Sequence, residues 1–216
     1  WALPGLLSEE LAALDVGAGL GKAMRSLVHA GFDTWGIEPL AHFRDKAIEV
    51  SGIRPDRLQV SSIEQAEYPA RQFDFITFGA VLEHLYSPSL ALARALSWLK
   101  PGGIIQAEVP SSDWLIAKLV NLYFRVRRTN YVTHISPMHP PFHLYEFTPE
   151  SFRRNGLSLG YEIAGQRTAV CSIVHVPGPL QPFLRWWMQR TGTGMQLTVY
   201  LRKSSSALRR DQPVRP

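Results

Sequence analysis

Short apolar runs alternate with segments of helical periodicity through the first half of the chain. The apolar runs have the length of strands and lie at 11–16, 34–37, 58–60, 73–78 and 104–109. Segments with helical spacing separate them at 22–30, 39–50 and 87–99. Gly31 and the Pro101-Gly102-Gly103 run mark turns, and Pro39 and Pro88 are typical of first helical turns. This alternation predicts βαβ units and a doubly wound, mostly parallel sheet of the α/β class.

The pattern changes after the fifth apolar run. Residues 114–128 have amphipathic helical spacing, and a loop rich in proline and histidine follows at 133–143. A helix beginning at Thr148-Pro149-Glu150, a second one at 180–190 and closing strands at 161–174 and 196–201 complete the predicted elements. We expect one domain over residues 1–202, with a lid insertion at about 112–147. A basic, disordered tail is expected at 203–216.

Composition supports a single domain and limits its partners. The chain has 216 residues and is 45% hydrophobic, which suits one globular core. The tail carries a net +3 of the total +5, so the body carries only +2, and a large nucleic-acid surface is disfavoured. The lone Cys171 excludes an internal disulfide framework and a cysteine-rich zinc site. No apolar run approaches the roughly 18 residues of a membrane span, and no signal-peptide pattern begins the chain, so a cytoplasmic location is expected.

Glycine occupies every second position of the loop after the first strand, at Gly17, Gly19 and Gly21. Glycine lets the backbone approach a ligand closely and adopt dihedral angles that a side chain forbids. In an open α/β sheet such a loop faces the crevice where ligands bind. The spacing is not the G-x-G-x-x-G of dinucleotide sites, which disfavours a dehydrogenase. A plain glycine turn is the alternative interpretation.

Glu38 ends the second predicted strand. A carboxylate at this place can accept hydrogen bonds from both hydroxyls of a ribose. The alternative is an acid favoured by the dipole at the beginning of a helix. The glycine loop and this acid together indicate a nucleoside-binding site.

Five runs in this order resemble the class I S-adenosylmethionine (SAM)-dependent methyltransferases, in the methyltransferase domain 23 group related to ubiquinone-biosynthesis O-methyltransferases. The runs lie at 14–21, 36–39, 73–85, 99–103 and 143–148 and span about two-thirds of the chain. The resemblance implies a Rossmann-like, seven-stranded sheet with a reversed last strand. It also implies SAM as the cofactor and S-adenosylhomocysteine as its product.

The resemblance further implies which residues hold SAM. They form four groups: Asp15, Gly17, Ala18, Gly19 and Gly21 toward the methionine part; Glu38 and Pro39 at the ribose; Ser62, Ile63 and Glu64 at the adenine; and Gly79, Ala80 and Val81 along the wall of the cleft. For Glu64, a solvated loop acid is an equally good interpretation.

Two histidines are candidate general bases for a hydroxyl acceptor. His143 ends the proline-rich loop, which we expect to overhang the cleft and to bring this histidine to the acceptor oxygen. His84, after the fourth strand, is the second candidate. A packing or structural role is the alternative for each. His134, His139 and His143 also invite a metal interpretation, but their spacing fits no common ligand pattern, so no metal site is predicted.

The 114–128 segment carries Lys118, Arg125, Arg127 and Arg128 and contains no acid. It is either an ordinary core-facing helix, a lid for an anionic or lipid-linked acceptor, or a helix at a membrane surface. Trp186 and Trp187, beside Arg185 and Arg190, either extend that surface or belong to the core.

The sequence therefore favours a SAM-dependent O-methyltransferase acting on a glycan, glycolipid or other hydroxyl acceptor. A small-molecule methyltransferase for a quinone-like phenol or a natural product is the first alternative. A non-catalytic SAM-binding or partner-binding module is the second. Peripheral membrane contact is compatible with all three hypotheses, whereas a nucleic-acid substrate is disfavoured.

Overall fold

The computed structural model describes residues 11–130, 142–170 and 178–204. The strands in these residues form a seven-stranded sheet in the order β3-β2-β1-β4-β5-β7-β6. Their bounds are β1 (Ala12–Val16), β2 (Asp33–Glu38), β3 (Leu58–Val60), β4 (Phe73–Gly79), β5 (Leu99–Pro110), β6 (Tyr161–Ala169) and β7 (Gln196–Lys203). β1 to β5 pair in parallel, and β7 runs antiparallel to both of its neighbours. The predicted α/β fold with a reversed last strand is confirmed.

Six α-helices accompany the sheet in the described residues. They are α1 (Lys22–His29), α2 (Ala41–Ser51), α3 (Pro88–Trp98), α4 (Leu115–Val126), α5 (Pro149–Leu159) and α6 (Gln181–Thr191). α3 buries Ala91, Leu92, Ala95 and Leu96, whose spacing of three and four residues places them on one face. They pack with fully buried strand residues such as Phe78 into the main core. Burial of each large apolar side chain contributes roughly 1.5–3 kcal/mol.

The order of the strands creates a crevice between β1 and β4. The chain moves outward from β1 to β2 and β3, then returns to pair β4 with the other side of β1. The connections on the two sides of β1 therefore leave in opposite directions, which opens a gap at the carboxyl ends of these strands. Open α/β sheets bind ligands at such a switch point.

Asp74 is a polar residue in the apolar fourth strand, and its contacts account for its presence there. Its Oδ2 accepts a hydrogen bond from the Ala12 backbone N–H at 2.8 Å and lies 2.8 Å from Lys100 Nζ. Asp74 thus ties together the beginnings of β1, β4 and β5. The predicted turn at Pro101-Gly102-Gly103 is wrong as a strand boundary, because β5 already begins at Leu99. The run instead lies at a register shift opposite Phe73 and Phe75, where Gly102 takes a φ of 83°.

One helix begins later than predicted. α2 begins at Ala41 and not at Pro39, because Leu40 is extended and its N–H donates to the Glu38 carboxylate. The described residues also contain three 3-10 turns that were not predicted, Pro55–Arg57, Leu82–His84 and Gly178–Leu180, since three residues are too few to show periodicity. α5 begins as expected, because the Thr148 side chain accepts a hydrogen bond from Ser151 N–H in a capping box.

The two ends of the expected lid insertion lie side by side. Ser111 and Phe147 form an isolated parallel bridge, and the Ser112 N–H donates to the Phe147 carbonyl at 3.0 Å. Residues 131–141, which include His134 and His139, lie outside the described residues, and so does Cys171. The lid function of the insertion stays a prediction.

The described part of the domain extends past the expected boundary at residue 202. Lys203 still pairs with Tyr161 in the sheet, and the Ser204 N–H donates to the Gly160 carbonyl at 2.8 Å. The domain therefore includes the first two residues of the expected basic tail, Lys203 and Ser204. Residues 205–216 lie outside the described part. Among the described residues, no helix is long and apolar enough to cross a membrane.

Candidate active site

The glycine loop after β1 is shaped by close packing at two of its three glycines. A Cβ at Gly17 would lie 2.6 Å from Val81 Cγ2, and one at Gly21 would lie 2.7 Å from Ile53 Cγ1. All three glycines have positive φ, between 53° and 73°. Gly19 is different, because a Cβ there would meet nothing within 4 Å. The loop thus packs against the protein on both sides and presents the Gly19 backbone to open space.

Glu38 fixes this loop from the end of β2. One carboxylate oxygen accepts the Gly19 N–H at 2.8 Å, and the other accepts the Leu40 N–H at 3.0 Å. The side chain is buried, yet it also lines the cavity beside the loop. Because a carboxylate has about four acceptor sites, two remain for a ligand. Glu38 therefore combines the predicted ligand-facing position with a structural role that the sequence did not reveal.

The cavity at the carboxyl ends of β1, β2 and β4 has a volume of about 360 Å³. Most of its lining consists of residues that were predicted to hold SAM: Gly17, Gly19, Glu38, Pro39, Ser62, Ile63, Glu64, Ala80 and Val81. His84 lines it as well. Asp15, Ala18, Gly21, Gly79 and His143 were also predicted as site residues but are not part of this lining. The structure therefore brings most of the predicted donor residues together around one space.

The sequence missed several residues that line this cavity. They are Val16, Ile37, Phe43, Ser61 and Leu85. Most are apolar and belong to strands or helices whose periodicity already explains them, so nothing in the sequence marks them as ligand contacts. Ala80 is unusual in another way, since it takes a φ of 56° without being a glycine. Such strained backbone clusters at functional sites.

Volume alone does not single out this cavity. Two others, of about 340 Å³ and 400 Å³, lie beside the amino end of β2 and along the edge strand β3. We assign the site to the cavity at the carboxyl ends of the strands, because that is where the glycine loop, Glu38 and the switch point meet.

Asp15 is a buried carboxylate just behind the glycine loop. Its side chain is 3% exposed, and its Oδ2 has no hydrogen-bond partner within the described part of the chain. Burial raises the pKa of Asp15 to about 7, a hydrogen bond from the Met24 backbone opposes the shift, and Glu38 adds to it. A ligand that brings a cationic group to this position would relieve the cost of ionising Asp15.

We expect this shift to make the ligand-free protein less stable as pH rises from about 4 to 7. The folded protein keeps the Asp15 proton in that range while the unfolded chain loses it, so the stability falls and then levels off above pH 7. Each pKa unit corresponds to about 1.4 kcal/mol, so the decline amounts to a few kcal/mol. Urea unfolding at pH 5 and pH 8 measures it.

The Asp15→Asn variant isolates this contribution, because burial also raises the pKa of Glu83 and Glu146 and these groups act in the same direction. The variant should lose most of the difference between pH 5 and pH 8, whereas Asp45→Asn on the exposed face of α2 should keep it. An equal pH dependence in wild type and Asp15→Asn would show that Asp15 ionises normally.

His84 and His143 meet at the edge of the cavity. Their ring centroids are 4.9 Å apart at an interplanar angle of 62°. His84 Nδ1 donates to the Phe142 carbonyl at 2.9 Å, which leaves Nε2 as the acceptor nitrogen of a neutral ring. The segment that carries His143 is held in place because the Leu144 N–H donates to the Glu83 carbonyl at 2.7 Å. The two predicted histidines are thus neighbours, and His84 is the one that reaches the cavity.

Glu83 is a site residue that the sequence analysis missed. Its carboxylate is 1% exposed, and its Oε1 lies 4.0 Å from His84 Nε2. Its Oε2 has no hydrogen-bond partner within the residues that the structure describes. Burial raises the pKa of Glu83 and Glu108 adds to the shift, while the Glu83 backbone N–H and His84 oppose it. The sequence signal that could have identified it is an acid directly after the apolar run Ala80-Val81-Leu82.

Glu83, His84 and His143 also have ligand atoms within 4.8 Å of one another, so the group could hold a metal ion. The sequence predicted no metal site. Ligand atoms of a tetrahedral site with bonds of about 2.1 Å lie roughly 3.4 Å apart, so this group would have to contract around an ion. A base with an acidic neighbour requires no such contraction, and we therefore favour that role.

The fold, the glycine loop and the cavity together have the architecture of the class I SAM-dependent methyltransferases. The family described as a methyltransferase domain matches residues 3–164, and the chain belongs to this family. The ubiquinone biosynthesis O-methyltransferase of Erwinia tasmaniensis is 32% identical over 128 residues, which are 56% of this chain and 52% of that protein. The chain spans about half the length of the curated relatives it matches.

Solved structures confirm the fold. A SAM-dependent methyltransferase from Archaeoglobus fulgidus aligns over 90% of this chain and 86% of its own, with a TM-score of 0.63 and 16% identity. The [4+2]-cyclase SpnF aligns over 92% of this chain and 77% of its own, with a TM-score of 0.60 and 18% identity. Since a cyclase shares the architecture, the fold alone does not define the reaction.

Proposed function

We propose that this protein transfers a methyl group from SAM to a hydroxyl oxygen, with His84 as the general base. The observation that carries the proposal is the position of His84. Its ring lines the cavity beside the glycine loop and Glu38, here called the donor cavity because SAM is the methyl donor. Its Nδ1–H donates a hydrogen bond to the Phe142 carbonyl. The remaining nitrogen, Nε2, is the atom that can take a proton.

The residues around the cavity fit SAM. Gly19 presents open backbone, and the Glu38 carboxylate retains acceptor capacity for ribose hydroxyls. Ile63, Phe43 and Leu85 offer apolar contacts for a flat base. Asp15 does not line the cavity, but its buried carboxylate lies just behind the glycine loop and would attract the ammonium of the methionine part electrostatically. Bound SAM would supply an electrophilic methyl carbon, with S-adenosylhomocysteine as the leaving group.

His84 would act while the new bond forms. His84 Nε2 would accept the proton of the acceptor hydroxyl while its oxygen takes the methyl group, and the electron pair of the carbon–sulfur bond would stay on sulfur. Glu83, 4.0 Å from Nε2, would stabilise the resulting imidazolium, and the low exposure of this carboxylate strengthens that interaction. General base catalysis of this kind typically contributes 10²–10⁴-fold.

His143 is the second candidate for the base. It packs edge-on against His84 and lies on the segment that Glu83 anchors, so it is close enough to approach an acceptor. The geometry favours His84, because His143 does not line the donor cavity. In this arrangement His143 would orient the His84 ring.

A glycan, glycolipid or other hydroxyl compound is the acceptor class that we propose. An oxygen acceptor needs its proton removed, which gives the paired histidines a role. The ubiquinone biosynthesis O-methyltransferases among the relatives favour a second candidate, a quinone-like phenol.

Transfer of labelled methyl groups tests the proposal. Purified protein is incubated with SAM that carries a labelled methyl group and with fractions of a cell extract, and the labelled product is identified. We expect label in an O-methyl ether and an equal amount of S-adenosylhomocysteine. Label on nitrogen or carbon would contradict the hydroxyl acceptor. Donor binding without transfer to any fraction would favour the non-catalytic module.

A further inference from the structure

α4 presents an apolar stripe to solvent. Leu119, Leu122, Tyr123 and Val126 are between 51% and 73% exposed, and their spacing of three and four residues places them on one face. Ala117, the one buried residue of this helix, lies on the opposite side. α4 therefore packs on the protein through one face and shows a second apolar face outward, unlike an ordinary surface helix.

α6 has the same character. Phe183, Trp186 and Trp187 are between 45% and 59% exposed and also follow helical spacing. Their ring centroids lie 6.0–6.4 Å apart, so they form an aromatic cluster on the solvent side of the helix. Met188 is the buried residue that attaches α6 to the domain. The two tryptophans are therefore not a core pair.

The two helices meet at their ends. The Leu115 N–H at the beginning of α4 donates to the Thr193 carbonyl just after α6, and the Ser111 N–H donates to the Met195 carbonyl. Ser111 follows β5, whose carboxyl end lies at the same edge of the sheet as the donor cavity. The exposed apolar residues of these two joined helices are here called the α4–α6 surface: Leu119, Leu122, Tyr123, Val126, Phe183, Trp186 and Trp187.

The charges around the α4–α6 surface have one sign. Six basic residues lie on or next to the two helices: Lys118, Arg125, Arg127, Arg128, Arg185 and Arg190. Residues 114–130 and 178–192 contain no acid. The nearest acid in sequence, Asp113, pairs with Lys118 at 2.7 Å. A partner for this surface must offer an apolar region to the exposed side chains and negative charge to the basic residues around them.

We propose that the α4–α6 surface docks on an anionic lipid membrane. Leucine, valine and aromatic side chains would enter the boundary between headgroups and acyl chains, tryptophan and tyrosine are favoured at that depth, and the basic residues would contact anionic headgroups. A second copy of this chain is a poorer partner, because a symmetric contact would bring two basic surfaces together. The docked membrane would lie toward the sheet edge that holds the SAM cavity, so a lipid-linked acceptor, which rests on the proposed function, would reach the site from it.

Vesicle flotation tests the proposal on the purified full chain. Vesicles contain either phosphatidylcholine alone or equal parts of phosphatidylcholine and phosphatidylglycerol. We expect the wild type to float with the anionic vesicles and to dissociate as salt is raised. The double variant Trp186→Gln/Trp187→Gln, and separately Leu122→Gln, should lower the bound fraction, by about tenfold or more for the double variant.

Leu157→Gln is the matched control, because Leu157 is 89% exposed on α5 and lies outside the α4–α6 surface. It should bind vesicles like the wild type. Binding of S-adenosylhomocysteine by each variant verifies that the fold is intact and separates this proposal from the proposed catalytic function. Failure of the wild type to bind anionic vesicles would overturn the proposal, as would equal binding to neutral vesicles or equal loss in Leu157→Gln. A salt-resistant dimer that buries this surface would also overturn it.

Discussion

The His84→Ala variant should lose about 10²–10⁴-fold in turnover once an acceptor is in hand, the usual loss when a general base is removed. The reason is that the His84 ring lines the donor cavity. Because Nδ1 donates its hydrogen to the Phe142 carbonyl, Nε2 is the nitrogen that can accept a proton. Donor affinity, measured by calorimetry on the same variant, should change by less than about threefold, because the lost interaction belongs to the transition state.

The matching measurement is made on His143→Ala. If His143 only orients His84, its removal should cost much less than the removal of His84. If instead His143→Ala loses the full factor and His84→Ala loses less than about threefold, the base is His143 and the assignment to His84 is wrong. Dialysis against a metal chelator should leave wild-type turnover unchanged, whereas loss that an added divalent ion restores would assign Glu83, His84 and His143 to a metal.

The Glu38→Ala variant should weaken binding of S-adenosylhomocysteine by about 1.5–3 kcal/mol, or roughly 10- to 150-fold. Two losses contribute, since the variant removes acceptors for ribose hydroxyls and also frees the Gly19 N–H from its 2.8 Å hydrogen bond. Glu38→Gln keeps one oxygen for a backbone N–H and should fall between the wild type and Glu38→Ala. Calorimetry on all three proteins gives the comparison.

Glu67→Ala is the control for this series, because Glu67 is exposed on the loop after β3 and does not line the cavity. It should bind the ligand like the wild type. Glu38→Ala should also lower the free energy of unfolding. The Gly19 and Leu40 N–H groups, which donate hydrogen bonds to the carboxylate, lose their partner in this variant. Unchanged ligand affinity in a folded Glu38→Ala variant would show that the ribose does not contact this residue.

Elements with strong periodicity could be predicted from the sequence, because burial sets their pattern. The apolar stripe of α3 is an example, since the predicted helix differs from the observed one by one residue at each end. Errors arose where a single contact decides a boundary. Leu40 is extended because the Glu38 carboxylate accepts its N–H, and β5 begins early because a register shift accommodates Gly102. Such contacts depend on the folded partner and leave no periodic trace.

The candidate site shows the same division. Three residues that line the cavity could be recognised in the sequence: Gly17, Gly19 and Glu38. The glycines mark a tight loop, and the acid ends the next strand at a recognisable spacing. Glu83 was missed, because its place in the site depends on the 142–145 segment, which contacts it across a long stretch of chain. The contact between His84 and His143, 59 residues apart, is likewise a product of the fold.

The measurement that tests the central claim most directly is ligand binding by the wild-type protein, with S-adenosylhomocysteine and NAD compared by calorimetry. The G-x-G-x-G loop and Glu38 frame a cavity of about 360 Å³ at the switch point of the sheet. We predict one site per chain for S-adenosylhomocysteine and no measurable binding of NAD. Tight binding of NAD without binding of S-adenosylhomocysteine would contradict the methyltransferase account.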